Sequence, residues 1–129
     1  VAAHLILFVA DQDRSTRFYA DVLDMKPRLW VAGMTEFDVG ADAVLGLMPH
    51  TGIRRLLGNA LPEAPASGSG PASELYLQVA APDVHLQRAL AAGAELVSPC
   101  APRDWGDTVG YCLDLDGHLL AFASGDGSG

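Results

Sequence analysis

The chain has 129 residues, the length of one domain, here built from two half-size modules sharing a core. Its hydrophobic share of 50% excludes a disordered chain, and no apolar run approaches the roughly 18 residues that a bilayer span needs. Lys and Arg number 8 against 16 Asp and Glu, a net charge of -8 that disfavours nucleic acid and is compatible with a cationic small molecule.

The opening Val1-Ala2-Ala3 lacks the basic segment of a secretory signal, so the expected address is the cytosol, with Cys100 and Cys112 as reduced thiols. Residues 4–9 read as a strand apolar on both faces and therefore covered on both sides. Asp11 or Asp13 caps the helix that follows, with Ser15 and Thr16 in its first turns. Phe18, Tyr19, Val22 and Leu23 form its buried stripe, and Pro27 stops it. Strands then follow at 28–32, 34–39 and 44–48, separated by turns at Gly33 and at Gly40-Ala41-Asp42. Residues 1–50 thus make one module in the order β-α-β-β-β.

Residues 51–72 read as a linker. Pro62, Pro65 and Pro71 alternate there with Ser67, Gly68, Ser69 and Gly70, and one short helical turn fits at 53–57. The second module, 73–124, repeats the order of the first. A strand at 74–79 leads to a helix opened by Pro82 and Asp83, with Leu86, Ala89 and Leu90 buried and Gly93 as its stop. A strand at 94–97, a loop with Pro99, Pro102, Trp105 and Gly106, and strands at 108–113 and 118–123 complete it. Residues 125–129 form a polar, glycine-rich tail. The duplication is visible residue by residue. Leu5, Leu7, Val9, Ala10 and Asp13 match Leu75, Leu77, Val79, Ala80 and Asp83 without a gap.

This doubled order, with Ala91-Ala92-Gly93-Ala94, Arg103-Asp104-Trp105-Gly106-Asp107 and Leu113-Asp114-Leu115-Asp116-Gly117-His118, resembles the vicinal oxygen chelate superfamily. That superfamily holds glyoxalase I, bleomycin-resistance proteins, extradiol dioxygenases and fosfomycin-resistance transferases. The resemblance implies an α+β fold in which two tandem βαβββ modules form a cup-shaped mixed sheet around a cavity. It also implies a homodimer. Metal-dependent members place ligands at the first strand and the last strand of each module. Carried over, those places are His4, Gly46 or its neighbour, Glu74 and Ala121.

Only His4 and Glu74 can ligate, and a stable divalent site generally takes three or four protein donors. The leading expectation is therefore a protein that sequesters or senses a small organic molecule, cationic or aromatic, with no cofactor. The alternative is a metal-dependent lyase, isomerase or dioxygenase in which His4 and Glu74 hold Zn, Ni, Mn or Fe. A third is an interaction module whose cup is filled. Without metal, His4 could hydrogen-bond Glu74 across the cup.

Strand alternation nominates the pocket. His4, Ile6 and Phe8 share one face; so do Glu74, Tyr76 and Gln78. Met48 and Val44 go with Gly46, and Leu119 and Ala123 go with Ala121. Trp30, Phe37 and Trp105 add aromatic walls, although Phe8, Trp30, Phe37 and Met48 serve equally as core. His118 belongs to a turn, His50 and His85 are solvated, and no nucleophile–base pair is apparent.

Overall fold

The computed structural model describes residues 1–61 and 71–125. Most of the linker's prolines and glycines, at 62–70, and the tail at 126–129 lie outside the described residues. The chain divides into two compact units, the first carrying four strands with α1 as far as Ala20, the second carrying four strands and α3.

In the first unit β1 (Ala3–Val9), β2 (Leu29–Val31), β3 (Met34–Gly40) and β4 (Ala43–Pro49) make a sheet in the order β1-β4-β3-β2. β1 runs parallel to β4, and the other neighbours are antiparallel. The helix α1 (Gln12–Leu23) supplies the crossover that a parallel pairing demands. Asp11 caps it, accepting the backbone N–H of Arg14 at 3.0 Å. Asp24 ends it in the left-handed conformation, with its N–H returned to the Ala20 carbonyl.

One face of this sheet is buried. Leu7, Val9, Phe37, Leu45 and Leu47 lie there, and Phe18 and Tyr19 of α1 are likewise buried. The polar groups in this layer satisfy one another. The Thr16 and Thr35 hydroxyls stand 2.8 Å apart, and Thr16 donates to the Gln12 carbonyl at 2.7 Å. The Gln12 amide donates to the Val31 carbonyl at 2.7 Å and accepts from Gly33 N–H at 2.9 Å, tying the helix start to the β2–β3 turn.

The expectation that both faces of β1 are covered is corrected. Leu7 and Val9 are buried, whereas Ile6 is 37% and Phe8 36% exposed. β1 is an edge strand whose second face lies away from α1. The short turn expected at 53–57 is a fuller helix, α2 (His50–Leu57), followed by a 3₁₀ turn at Gly58–Ala60. None of its residues is buried.

The second unit repeats this topology. β5 (Glu74–Gln78), β6 (Glu95–Pro102), β7 (Asp107–Leu113) and β8 (Leu119–Gly125) form a sheet in the order β5-β8-β7-β6, with β5 parallel to β8. The helix α3 (Pro82–Ala91) lies on the face carrying Gly110, Cys112, Leu120 and Phe122. Gly110 has no side chain because a Cβ there would stand 2.6 Å from Cys100 Sγ and 2.9 Å from Leu86 Cδ2.

β6 is longer than the strand expected at 94–97 and runs through Pro99. A proline is tolerated because β6 is the sheet's edge, and register shifts on either side of Ser98 absorb it. Asp114 holds the turn before β8, its Oδ1 accepting from the N–H groups of Asp116 and His118. Through its backbone, His118 is a turn residue, as expected.

Candidate functional site

In the second unit, the sheet face away from α3 gathers Glu74, Tyr76, Gln78 and Trp105 of the residues expected to line a pocket. Register places Tyr76 beside Ala121 and Tyr111, and Gln78 beside Ala123 and Val109. Glu74 lies beside Leu119 at the start of the same row. Trp105 reaches this face from the β6–β7 turn, where Gly106 takes φ 100. Its indole N–H donates to the Tyr76 hydroxyl at 3.0 Å. The Tyr76 hydroxyl donates in turn to Asp107 Oδ2 at 2.5 Å, and Gln78 donates to the same oxygen at 3.3 Å.

Thus an indole that is 60% exposed is held in one orientation by an ordered phenol. Both hydrogen bonds of the Asp107 carboxylate fall on Oδ2, which leaves Oδ1 without a partner among the described residues. Desolvation and the bond to Asp107 push the Tyr76 phenol above its ordinary value, so it stays protonated at neutral pH. Arg103 lies 5.1 Å over the Tyr111 ring and donates to Ser98 Oγ at 2.9 Å and to the Val109 carbonyl at 2.9 Å. Those bonds brace β6 against β7.

Ala121 occupies the expected face but is not an open wall. It is fully buried with Val109 and Ala123, and Tyr76 and Tyr111 pack on that cluster.

In the first unit, the sheet face away from α1 carries His4, Ile6 and Phe8 on β1, Val44, Gly46 and Met48 on β4, and Glu36 and Asp38 on β3. His4 has a carboxylate partner within its own sheet: its Nδ1 lies 3.5 Å from Glu36 Oε2. Arg28 claims the other oxygen, with Nε at 3.0 Å and Nη2 at 2.9 Å from Glu36 Oε1, and its Nη1 lies 3.1 Å from Asp38 Oδ1. The bond to Glu36 holds the Arg28 guanidinium above its ordinary pKa range. The Phe8 ring neighbours that of His50 at 6.4 Å.

Two nominated pocket residues lie elsewhere. Phe37 is fully buried in register with Leu45, on the α1 side of the sheet. Trp30 pairs with Thr35 on that same side, and its indole N–H donates to Asp13 Oδ1 at 3.0 Å. It lines a separate cleft of about 450 Å³ with Asp11, Gln12, Asp13, Val31 and Gly33. The hairpin register, which sequence alone left open, decides both placements. Sequence reasoning also missed Glu36, Arg28, Asp38 and Tyr111 as neighbours of the nominated residues, and Asp107 as a site residue. Parity could have found Asp107, which shares its strand face with Val109 and Tyr111.

As they stand, these donors do not fit the divalent ion of the metal-dependent relatives. At Gly46 a Cβ would lie 3.1 Å from Ile6 Cγ1 and 3.4 Å from Met34 Sδ, so the position has no donor and little room for one. Ala121 offers a methyl group. Glu36 is already neutralised by Arg28. Among the described residues, no group of three His, Cys, Asp or Glu side chains stands close enough to hold an ion.

Residues 2–122 match the family model of the Glyoxalase/Bleomycin resistance protein/Dioxygenase superfamily. The chain belongs to that superfamily. Glyoxalase-superfamily structures share its fold along nearly the whole length. A glyoxalase-related enzyme from Fulvimarina pelagi is 25% identical, with 96% of this chain and 87% of that one covered at a TM-score of 0.77. A glyoxalase/bleomycin resistance protein/dioxygenase family enzyme from Burkholderia phytofirmans PsJN is 17% identical, with 94% and 95% covered and a TM-score of 0.79. TioX from Micromonospora sp. ML1 is 21% identical, with 97% and 98% covered and a TM-score of 0.65. No curated protein matches the sequence. Among the described residues, no helix of this superfamily member is long and apolar enough to cross a membrane.

Proposed function

We propose that this glyoxalase-superfamily chain binds a small organic molecule carrying a flat ring and a positive charge, and that it does so without a metal. The observation that carries this reading is the chain of contacts Trp105–Tyr76–Asp107 in the second unit. An exposed aromatic ring is costly to leave in water and useful for stacking. A carboxylate with one free oxygen beside it suits an ammonium or guanidinium group. The net charge of -8 favours the approach of such a ligand. The activity assigned to the cluster is sequestration or sensing: its carboxylate, Asp107, is tied through Oδ2 to Tyr76 and Gln78, and its other oxygen is read as the contact for the ligand's cation.

The test is fluorescence titration of Trp105 in a Trp30→Phe background, using a panel of cationic aromatic antibiotics with and without chelator. Quenching that saturates and ignores the chelator is the expected result. Asp107→Asn should weaken the best binder by about tenfold, the usual scale for losing a charge-assisted hydrogen bond. Trp105→Ala, read by thermal shift, should weaken it at least as much. Binding that chelator abolishes would overturn the reading.

A further inference from the structure

We propose that the ligand's cation is one that carries N–H bonds, a primary or secondary ammonium or a guanidinium, and that the Trp105–Tyr76–Asp107 cluster discriminates against a quaternary ammonium. The inference rests on the binding reading above and names the class of cation that the same site selects.

The selection follows from where the cluster's donors go. An indole has a single N–H and a phenol a single O–H. Trp105 spends its N–H on the Tyr76 hydroxyl, at 3.0 Å. Tyr76 spends its O–H on Asp107 Oδ2, and Gln78 Nε2 donates to the same oxygen at 3.3 Å. β8 lies between β5 and β7, and its residues on this face beside Tyr76, Gln78 and Asp107 are Ala121, Ala123 and Gly125. None of them has a side chain beyond a methyl group, so the phenol reaches across to the carboxylate. Arg103 turns Nε and Nη2 to oxygens of Val109, Ser98 and Pro99.

What the cluster has left to offer is acceptors and a ring. Asp107 Oδ1 and Gln78 Oε1 have no partner among the described residues, and Trp105 is 60% exposed. Chemistry fixes the Gln78 amide in this orientation, because its oxygen turned to the carboxylate would be repelled. A cation with N–H bonds satisfies Oδ1 while the ligand's ring covers the indole. A quaternary ammonium keeps the attraction to the ring and to the charge. It also shields Oδ1 from water and gives it no hydrogen in return. Leaving an ionised acceptor without a partner costs on the order of tenfold in affinity. A carboxylate beside the ligand's ring fares worse, because the indole and phenol donors are engaged and Asp107 repels it.

The experiment is an NMR titration of the full, isotope-labelled chain, followed through the indole N–H signals of Trp30 and Trp105. The probes are phenethylamine, its N,N,N-trimethyl derivative and the uncharged phenethyl alcohol. Trp30→Phe assigns the signals, and Trp30 in the wild-type chain reports any binding on the helix side of the first sheet. Phenethylamine should move the Trp105 signal with a Kd about tenfold below that of the trimethyl derivative. Asp107→Asn should erase this preference. Tyr76 and Gln78 both donate to the δ2 atom, so the asparagine oxygen takes that place and its NH₂ replaces the free acceptor. Thermal melts confirm that the variant is folded. A trimethyl derivative bound as tightly as phenethylamine, or a preference that survives Asp107→Asn, overturns the inference and leaves the cation reading standing. An alcohol that binds as tightly as the amine, or amines that leave the Trp105 signal unmoved, overturn both.

Discussion

Ala121 illustrates what burial does at a position where the resemblance would put a ligand. Its methyl group is fully buried in the cluster on which Tyr76 and Tyr111 pack, with Val109 and Ala123 beside it. A carboxylate there would lose its water without gaining a partner. Ala121→Glu should therefore destabilise the fold by about 3 kcal/mol or more, read as a shift in urea midpoint, rather than restore an ion site. A variant as stable as wild type would show that the tyrosines swing aside. The cysteines show the same effect of burial. Desolvation pushes both thiols up to about 11, with Asp83 adding to it at Cys100 and Asp114 at Cys112. Both stay protonated at neutral pH, which fits packed, unreactive thiols.

At the scale of elements, the strands and helices were mostly legible because their signals are local. Apolar alternation, Asp11 as cap, Pro82 at a helix start and Gly33 in a turn each act on near neighbours. β6 was not legible past Val97, because whether Pro99 ends a strand depends on whether that strand is an edge. The same limit applies to Gly110. In sequence it is one residue of the strand expected at 108–113, but in the fold it is where Leu86 and Cys100 pack against the sheet. Gly110→Ala should cost about 1–3 kcal/mol, the usual scale of overpacking, measurable as a lowered Tm. An unchanged Tm would mean that Cys100 moves freely, and that β6 is looser than its bonds to Arg103 suggest.

At the scale of the molecule, the repeat seen between residues 4–13 and 74–83 reappears as two sheets of the same strand order. Each unit places a helix on one face of its sheet and leaves the other face turned away from it. In the first unit that other face has Ile6 and Phe8 exposed on an edge strand, and Leu5, at 40%, is exposed on the same strand. Apolar edges of this kind seek cover. We infer a homodimer, the commonest closed assembly, and expect light scattering to give twice the 13.5 kDa of one chain. A monomer at micromolar concentration would contradict it.

Composition and periodicity by themselves determined the element order, the duplication and the rows of residues that share a strand face, because these follow from hydrophobic pattern and from turn residues next to each other in the chain; the fold class was implied by the resemblance that those motifs carry. The resemblance also singled out positions 46 and 121, whose glycine and alanine carry no donor. Only the tertiary structure decided which row meets which. It gave His4 to Glu36, sent Trp30 and Phe37 to the helix side, and brought Asp107 to Tyr76 and Gln78. Strand register sets those meetings, and it depends on packing between residues far apart in sequence, where a shift of one residue turns every side chain to the opposite face.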